Sequence, residues 1–408
     1  MTAHMQAAEW EPAYAARAER MRASEIRELL KLLDRPGIIS FAGGIPDPAL
    51  FPVREAEAAY VQVLGDRASA GSALQYSVSE GHQGLRSWIV RHMARLGVPC
   101  TEDNIVITSG SQQGLEFLGR LLLSPGDTAL VMAPTYLGAL QAFSGSEPRY
   151  DELNPEHGNR TPQSYADAAA ANGGRVKFAY VVPDFANPTG ETLSLPARER
   201  LLDLAYELDV PVIEDAAYAA LRFEGEPLPP IAALEVARRG SIDRVRVIYC
   251  GTFSKVLSPG LRVGWIVAPR PMVRRLVLIK QASDLNSATI NQLVMHRLAE
   301  SIYDDRVAAA RAAYRRRRDA MLAALATHMP DGVAWTRPKG GLFTWVRLPE
   351  GIDSAALLER SVSEAGVAFV PGAAFFFDGR ARNALRLSYS LASEAEIEHG
   401  IARLAKLI

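Results

Sequence analysis

The chain has 408 residues, 48% hydrophobic, 22% charged and 8% aromatic, which predicts two or three domains and excludes bulk disorder. Its 45 basic and 46 acidic residues leave a net charge of −1, which gives no electrostatic reason to bind a polyanion. Cys100 and Cys250 match no disulfide, metal or redox spacing, no apolar secretory core opens the chain, and no run of about 18 apolar residues could span a membrane, so a cytoplasmic protein is expected.

In chain order, a helix is expected over 22–33, ahead of a Gly- and Pro-rich stretch over 41–52, and packing near the C-terminal part of the chain. Asn104-Ile-Val-Ile-Thr108 is short and β-branched, which predicts a buried strand, and a Gly-bearing turn leads from it into a helical pattern over 115–123. Residues 129–133 predict a second strand stopped by Pro134, and 176–182 a third stopped by Pro183. Apolar residues at 201, 202, 204, 205 and 208 line one face of a helix over 199–208. A strand over 210–213 ends in Glu214-Asp215, and 245–249 and 263–268 predict two more. Strands alternating with helices imply a largely parallel sheet covered on both faces, with ligands bound outside the carboxyl ends of the strands. The polar, Gly-bearing segments of this chain fall at those ends.

The C-terminal part reads differently. An Arg- and Ala-rich helix is expected over 304–329, strands over 333–348 and 367–371, and a closing helix over 392–408, which together suggest a smaller α+β domain. The run Arg315–Arg318, flanked by Asp304, Asp305 and Asp319, reads as a solvated helix face.

Several chemistries are excluded by missing motifs. The chain has no Gly-x-Gly-x-x-Gly, no Gly-x4-Gly-Lys-Ser/Thr and no His-Glu-x-x-His, and its seven histidines do not cluster at metal-ligand spacing. In Gly110-Ser-Gln-Gln-Gly114, Gln112 stands where a nucleophile elbow needs serine.

Five segments carry candidate chemistry. Thr108-Ser-Gly-Ser-Gln-Gln-Gly114 offers helix-start N–H groups and the Ser111 hydroxyl to a phosphate, or is a plain N-cap turn. Pro183-Asp-Phe-Ala-Asn-Pro-Thr-Gly190 follows a strand and, by itself, is a Pro-Gly loop. Glu214-Asp-Ala-Ala-Tyr218 puts acids at a sheet edge, where they need a partner or a task, or cap the next segment. In Gly251-Thr-Phe-Ser-Lys255, with apolar Phe253, Val256 and Leu257 around it, the lysine is suited to Schiff-base chemistry rather than to the surface. Arg386 sits in an alternating, half-buried strand and wants an anion, either a ligand carboxylate or an internal acid.

A phosphate cradle, an amine, an acid, a phenol, an amide and an arginine form the set that pyridoxal phosphate requires. The order of these motifs resembles the fold-type I aminotransferases of the class I/II group over nearly the whole chain. Ser24-Glu-Ile-Arg27 through Gly44, Gly251–Val263 and Thr336-Arg-Pro-Lys-Gly-Gly341 are similar to the 2-aminoadipate (kynurenine/2-aminoadipate-like) aminotransferases. That resemblance implies an α/β fold with a large, mostly parallel seven-stranded sheet domain and a smaller α+β domain. It divides the chain into an N-terminal arm over 1–50, a large cofactor-binding domain over 51–300 and a small domain over 301–408.

The resemblance also implies roles. Lys255 forms the internal aldimine, Asp215 faces the pyridine nitrogen, Tyr218 and Asn187 face the 3′-oxygen, and Tyr136 covers the ring. Gly110, Ser111, Gln112, Thr252, Ser254 and Arg262 hold the phosphate, and Tyr76 reaches the phosphate of a second subunit, so a homodimer with shared sites is expected. Arg386, Asn187 and Gly43 hold the substrate's α-carboxylate, and Arg27 meets a distal acidic side chain. Ala186, Ala219 and Ala220 depart from the family's polar residues beside the side-chain pocket.

The implied reaction is ping-pong transfer of an amino group between an L-2-amino acid and a 2-oxo acid, with 2-oxoglutarate and glutamate as one pair. The implied substrate range includes 2-aminoadipate, aromatic and aliphatic amino acids. A pyridoxal-phosphate lyase or decarboxylase on the same scaffold is the alternative. The same motifs occur in regulators that carry a winged helix, for which the roughly twenty residues before the first family helix are too few. No metal, nucleic-acid or membrane partner is expected.

Overall fold

A computed structural model of the chain describes residues 10–15, 17–18 and 37–408, so the expected helix over 22–33, with Arg27, lies outside the described residues. Seven strands form the main sheet: β2 (Ile105–Thr108), β3 (Thr128–Met132), β4 (Arg149–Leu153), β5 (Val176–Val181), β6 (Val212–Asp215), β7 (Val247–Thr252) and β8 (Gly264–Val267). A short β1 (Ile39–Ser40) precedes them in the chain. The sheet order is β2-β8-β7-β6-β5-β3-β4, and β8 runs antiparallel to both of its neighbours while the remaining pairs are parallel. The central strands are buried along their length, which is why they read as continuous apolar runs. Strand β4 was not anticipated: Arg-Tyr-Asp-Glu-Leu is polar because it forms the sheet edge and is only partly covered.

The small sheet, β12-β13-β10-β9, joins β9 (Ala334–Trp335), β10 (Phe343–Arg347), β12 (Val370–Pro371) and β13 (Ala384–Ser388), and β1 pairs in parallel with β11 (Val367–Ala368). The apolar stretch 333–348 is thus two strands separated by a loop. Pro338 and Gly341, the latter at φ +75°, interrupt it, and a Cβ on Gly340 would lie 2.4 Å from the Leu221 carbonyl. Strand β13 is wholly buried rather than half-buried, because it lies between β12 and β10.

The helix expected from residue 304 begins at Thr289 and runs 40 residues to His328. Its first half carries Val294, Met295 and Leu298 into the main core, and its second half carries the Arg- and Ala-rich pattern. Within that pattern the solvated reading holds only for Arg315 and Arg316. Arg318 is buried, donating to the Pro338 carbonyl at 2.6 Å and pairing with Glu224 and Asp319, and Arg317 pairs with Asp47. Tyr314 adds its hydroxyl as acceptor for the Asp47 N–H at 3.1 Å. The strap over residues 41–47 is therefore clamped to the long helix, to β11 through the Phe41 N–H on Ala368 O, and to the small sheet through the Ser388 N–H on Phe41 O. No helix among the described residues is long and apolar enough to cross a membrane.

Candidate active site

The carboxyl ends of β2, β3, β5, β6 and β7 converge below the small sheet. After β2, the turn Ser109–Gly110 starts the helix Ser111–Leu122, whose N-terminus has no side-chain cap. Gly110 has φ +83°, and a Cβ there would meet the Arg262 guanidinium at 2.4 Å, so only glycine permits this approach. Arg262 donates to the Ser109 carbonyl at 3.3 Å, and beyond β7 the Thr252 and Ser254 hydroxyls lie 2.9 Å apart. Gly110, Ser111, Thr252, Ser254 and Arg262 thus offer N–H, hydroxyl and guanidinium donors at the ends of β2 and β7, a set that suits an anion pocket. The Gln112 amide turns from that pocket to the Gly138 carbonyl at 2.6 Å and accepts from the Tyr136 hydroxyl at 3.4 Å. Gly138 is required because the Tyr136 ring folds back to within 2.3 Å of where a Cβ would stand.

The acids at the end of β6 divide the two tasks that the sequence left open. Glu214 caps the helix Ile231–Arg239, accepting the Ile231 and Ala232 N–H groups at 2.8 and 2.9 Å, while burial pushes its carboxyl up to about 7. Asp215 points into the site. Burial pushes it up to about 6, opposed by the Tyr180 hydroxyl, which donates to Oδ2 at 2.9 Å, and by Lys255. Its Oδ1 is buried with no hydrogen-bond partner. Tyr180 escaped the sequence reading because it lies inside a buried strand, although a buried phenol needs a partner and so carried a signal.

Lys255 donates to the Gly44 carbonyl at 3.2 Å, and its amine lies 5.7 Å from the centre of the Tyr218 ring. Burial, reinforced by nearby Arg386, lowers it to about 8, against the pull of Asp215. Arg386 on β13 is 1% exposed and donates to Asn187 Oδ1 at 2.8 Å and to the Ala42 carbonyl at 2.6 Å. Its guanidinium carbon lies 4.3 Å from the Phe343 ring centre and 5.0 Å from that of Phe375, and its Nε has no partner. No carboxylate among the described residues pairs with it, which removes the internal salt bridge as an explanation there. Gly43 is buried beside this group, between Ala42 and Gly44.

Tyr76 stands apart from these residues, 79% exposed. Of the three departures from the family pattern, Ala186 lines a cavity of about 770 Å³ with Asn187 and Thr135. Ala219 and Ala220 line a different one of about 390 Å³ beneath the long helix, where Arg311 holds the Ala220 carbonyl, so the three do not border one pocket.

Comparison with known proteins places the chain in a family. The profile of the family described as aminotransferase class I and II matches residues 37–404. The chain is 42% identical to aromatic-amino-acid aminotransferase 1 of Thermococcus litoralis, over 98% of this chain and 95% of that protein. It is also 42% identical to the 2-aminoadipate transaminase of Thermus thermophilus, over 98% and 97%. The crystal structure of Pyrococcus horikoshii kynurenine aminotransferase, in complex with PMP, is 42% identical over 97% of each chain, with a TM-score of 0.88.

Proposed function

The chain belongs to the class I and II aminotransferases, pyridoxal-phosphate enzymes that transfer an amino group between an amino acid and a 2-oxo acid, and from that premise we propose that the residues gathered at the strand ends are its cofactor and substrate site. The observation that carries the reading is a pair of unsatisfied buried groups of opposite sign, Asp215 Oδ1 and Arg386 Nε, on a site that also holds the Lys255 amine. Neither group belongs to the other: Asp215 is suited to a cationic ring nitrogen and Arg386 to a carboxylate.

The donor set fits pyridoxal phosphate. Gly110, Ser111, Thr252, Ser254 and Arg262 would hold the phosphate, with Gln112 contributing backbone, Tyr136 would cover the ring, and Tyr218 and Asn187 would meet its 3′-oxygen. Lys255 would carry the covalent attachment. When bound, the cofactor supplies a sink for the electron pair left as the substrate's Cα–H bond breaks. Asp215, whose Oδ1 is buried without a partner, would hold a proton on the ring nitrogen by placing an opposite charge against it. Arg386, with Asn187 and Gly43, would pin the substrate carboxylate and so orient the bonds at Cα. The Lys255 amine, once freed and with burial lowering it to about 8, would be placed to accept and give back the proton at the substrate's Cα, a transfer worth roughly 10²–10⁴-fold.

The substrates we propose are 2-aminoadipate and aromatic or aliphatic L-amino acids as donors, with 2-oxoglutarate as acceptor, in line with the named activities of the relatives. Arg27 is proposed to select acidic side chains. Two copies would share their sites in the cytoplasm through Tyr76, a reading supported by the exposure of Tyr76 and of its chain neighbours Leu74 and Val78. The arm over 1–50, large domain over 51–300 and small domain over 301–408 remain the proposed division, with the helix Thr289–His328 running through the second boundary. A screen of amino donors against 2-oxoglutarate tests the reading. Glutamate formed in step with the donor's oxo acid is expected, whereas carbon dioxide or an eliminated side-chain fragment without glutamate would move the chain to lyase chemistry.

A further inference from the structure

Lys280 is a fully buried cation that the proposed site does not use. It ends the helix Arg270–Ser283 behind the phosphate turn. Its ammonium donates to Asp284 Oδ1 and Oδ2 at 2.9 and 3.0 Å, to Ser287 Oγ at 2.9 Å and to Gln113 Oε1 at 3.3 Å. Asp284 Oδ2 in turn accepts from Gln113 Nε2 at 2.8 Å and from Ser109 Oγ at 3.3 Å. Gln113 Oε1 accepts the backbone N–H of Ser109 at 2.8 Å.

The chain of contacts converges on one residue. The N–H of Ser109 is held by Gln113, its hydroxyl by Asp284 and Ser287, and its carbonyl by Arg262. Ser109 immediately precedes Gly110, the left-handed residue that starts the cradle. Burying a lysine is costly unless its charge and all its donors are satisfied. Here they are satisfied by groups whose remaining bonds fix that turn.

We propose that Lys280 is a positioning residue for the cofactor's phosphate, acting through Asp284 and Gln113 to lock the Ser109–Gly110 turn that aims the following N–H groups. The inference rests on the assignment of residues 110–112 to the phosphate. A purely structural ion pair, bracing one helix against another, would affect all ligands alike, and pyridoxal, which lacks the phosphate, separates the two.

The test compares dissociation constants of pyridoxal phosphate and pyridoxal for apoenzyme of the native chain, Lys280→Met, Lys280→Arg and Gln113→Ala. Lys280→Met and Gln113→Ala are expected to weaken pyridoxal phosphate roughly 10- to 100-fold, with pyridoxal changed less than about threefold and Lys280→Arg recovering most of the loss. Gln113→Ala leaves the Lys280–Asp284 pair intact, so it carries the test where Lys280→Met does not fold. Equal weakening of both ligands, or no change in either, overturns the inference. A native protein that fails to distinguish pyridoxal phosphate from pyridoxal would instead overturn the cradle assignment beneath it.

Discussion

The phosphate end and the carboxylate end of the site differ in what must dock before each is complete. At the phosphate end, near neighbours meet first, Thr108 with Gly110, Thr252 with Ser254, and Ser109 with Gln113, and Arg262, Asp284 and Lys280 then brace the same turn from 153, 175 and 167 positions away. At the carboxylate end, Arg386 reaches Asn187 and Ala42, which are 199 and 344 positions away in the chain. Lys255 reaches Gly44 across 211. The first keeps its turns within single strand-to-helix junctions of the main domain and needs only a neighbouring helix end and Arg262 to brace them. The second exists only when the small sheet, the strap over 41–47 and the main sheet have all docked. Cofactor affinity should therefore follow the strand-end turns and the helix end that braces them, and substrate affinity should follow the docking of the strap and small sheet.

The largest effect expected falls on the residue between the two ends. Lys255→Ala should lose all measurable turnover and leave no cofactor fixed to the chain by borohydride, and a purified variant with native rates would remove Lys255 from the chemistry. Asp215→Asn should keep the cofactor yet lose activity by roughly 10²-fold or more, which steady-state kinetics on cofactor-saturated enzyme would show; unchanged kinetics would count against it. Arg386→Lys sharpens the contrast: a point charge replaces a two-point fork, so kcat/KM should fall about 10- to 100-fold for amino and oxo acids alike, with the cofactor's affinity and spectrum untouched. Cofactor loss in that variant would erase the distinction between the ends.

Tyr180→Phe should be milder, roughly tenfold in turnover, since it removes only the hydrogen bond that orients Asp215. The same change made on Asp215→Asn should add little if the phenol acts through that carboxylate, and a full additional loss would show an independent role.

The smallest effect is a pH dependence. Burial lowers Lys255 to about 8, so below that pH its amine is charged and cannot attack an aldehyde, and above it the neutral form prevails. Cofactor capture by the apoenzyme, followed by visible absorbance, should quicken as pH rises through about 8. A rise that waits for the free-lysine range would show that the amine is not desolvated.

The same contrast explains what could be read in advance. The alternating strands, the turn at Ser109–Gly110, the acids ending β6 and the lysine after β7 were legible because each is a local pattern with a local cause: β-branched runs bury, glycine permits positive φ, and polar residues after a strand need a task. Residues whose meaning depends on a distant neighbour were misread or missed. Arg317 and Arg318 share a run with two solvated arginines and differ only in facing Asp47 and the Pro338 loop. Tyr180 takes its meaning from meeting Asp215, 35 positions away.

By itself, then, the order of residues determined the strand-and-helix alternation, the chemical kinds of group available and the ends of the strands on which they stand, because backbone preference and hydrophobic period act over a few residues. Only the folded molecule decided which of Glu214 and Asp215 faces the site, that Arg386 has no acid beside it among the described residues, and that Lys280 is buried beneath the phosphate turn. Those outcomes depend on desolvation and on contacts between segments far apart in the chain, and both come into being only when the elements pack.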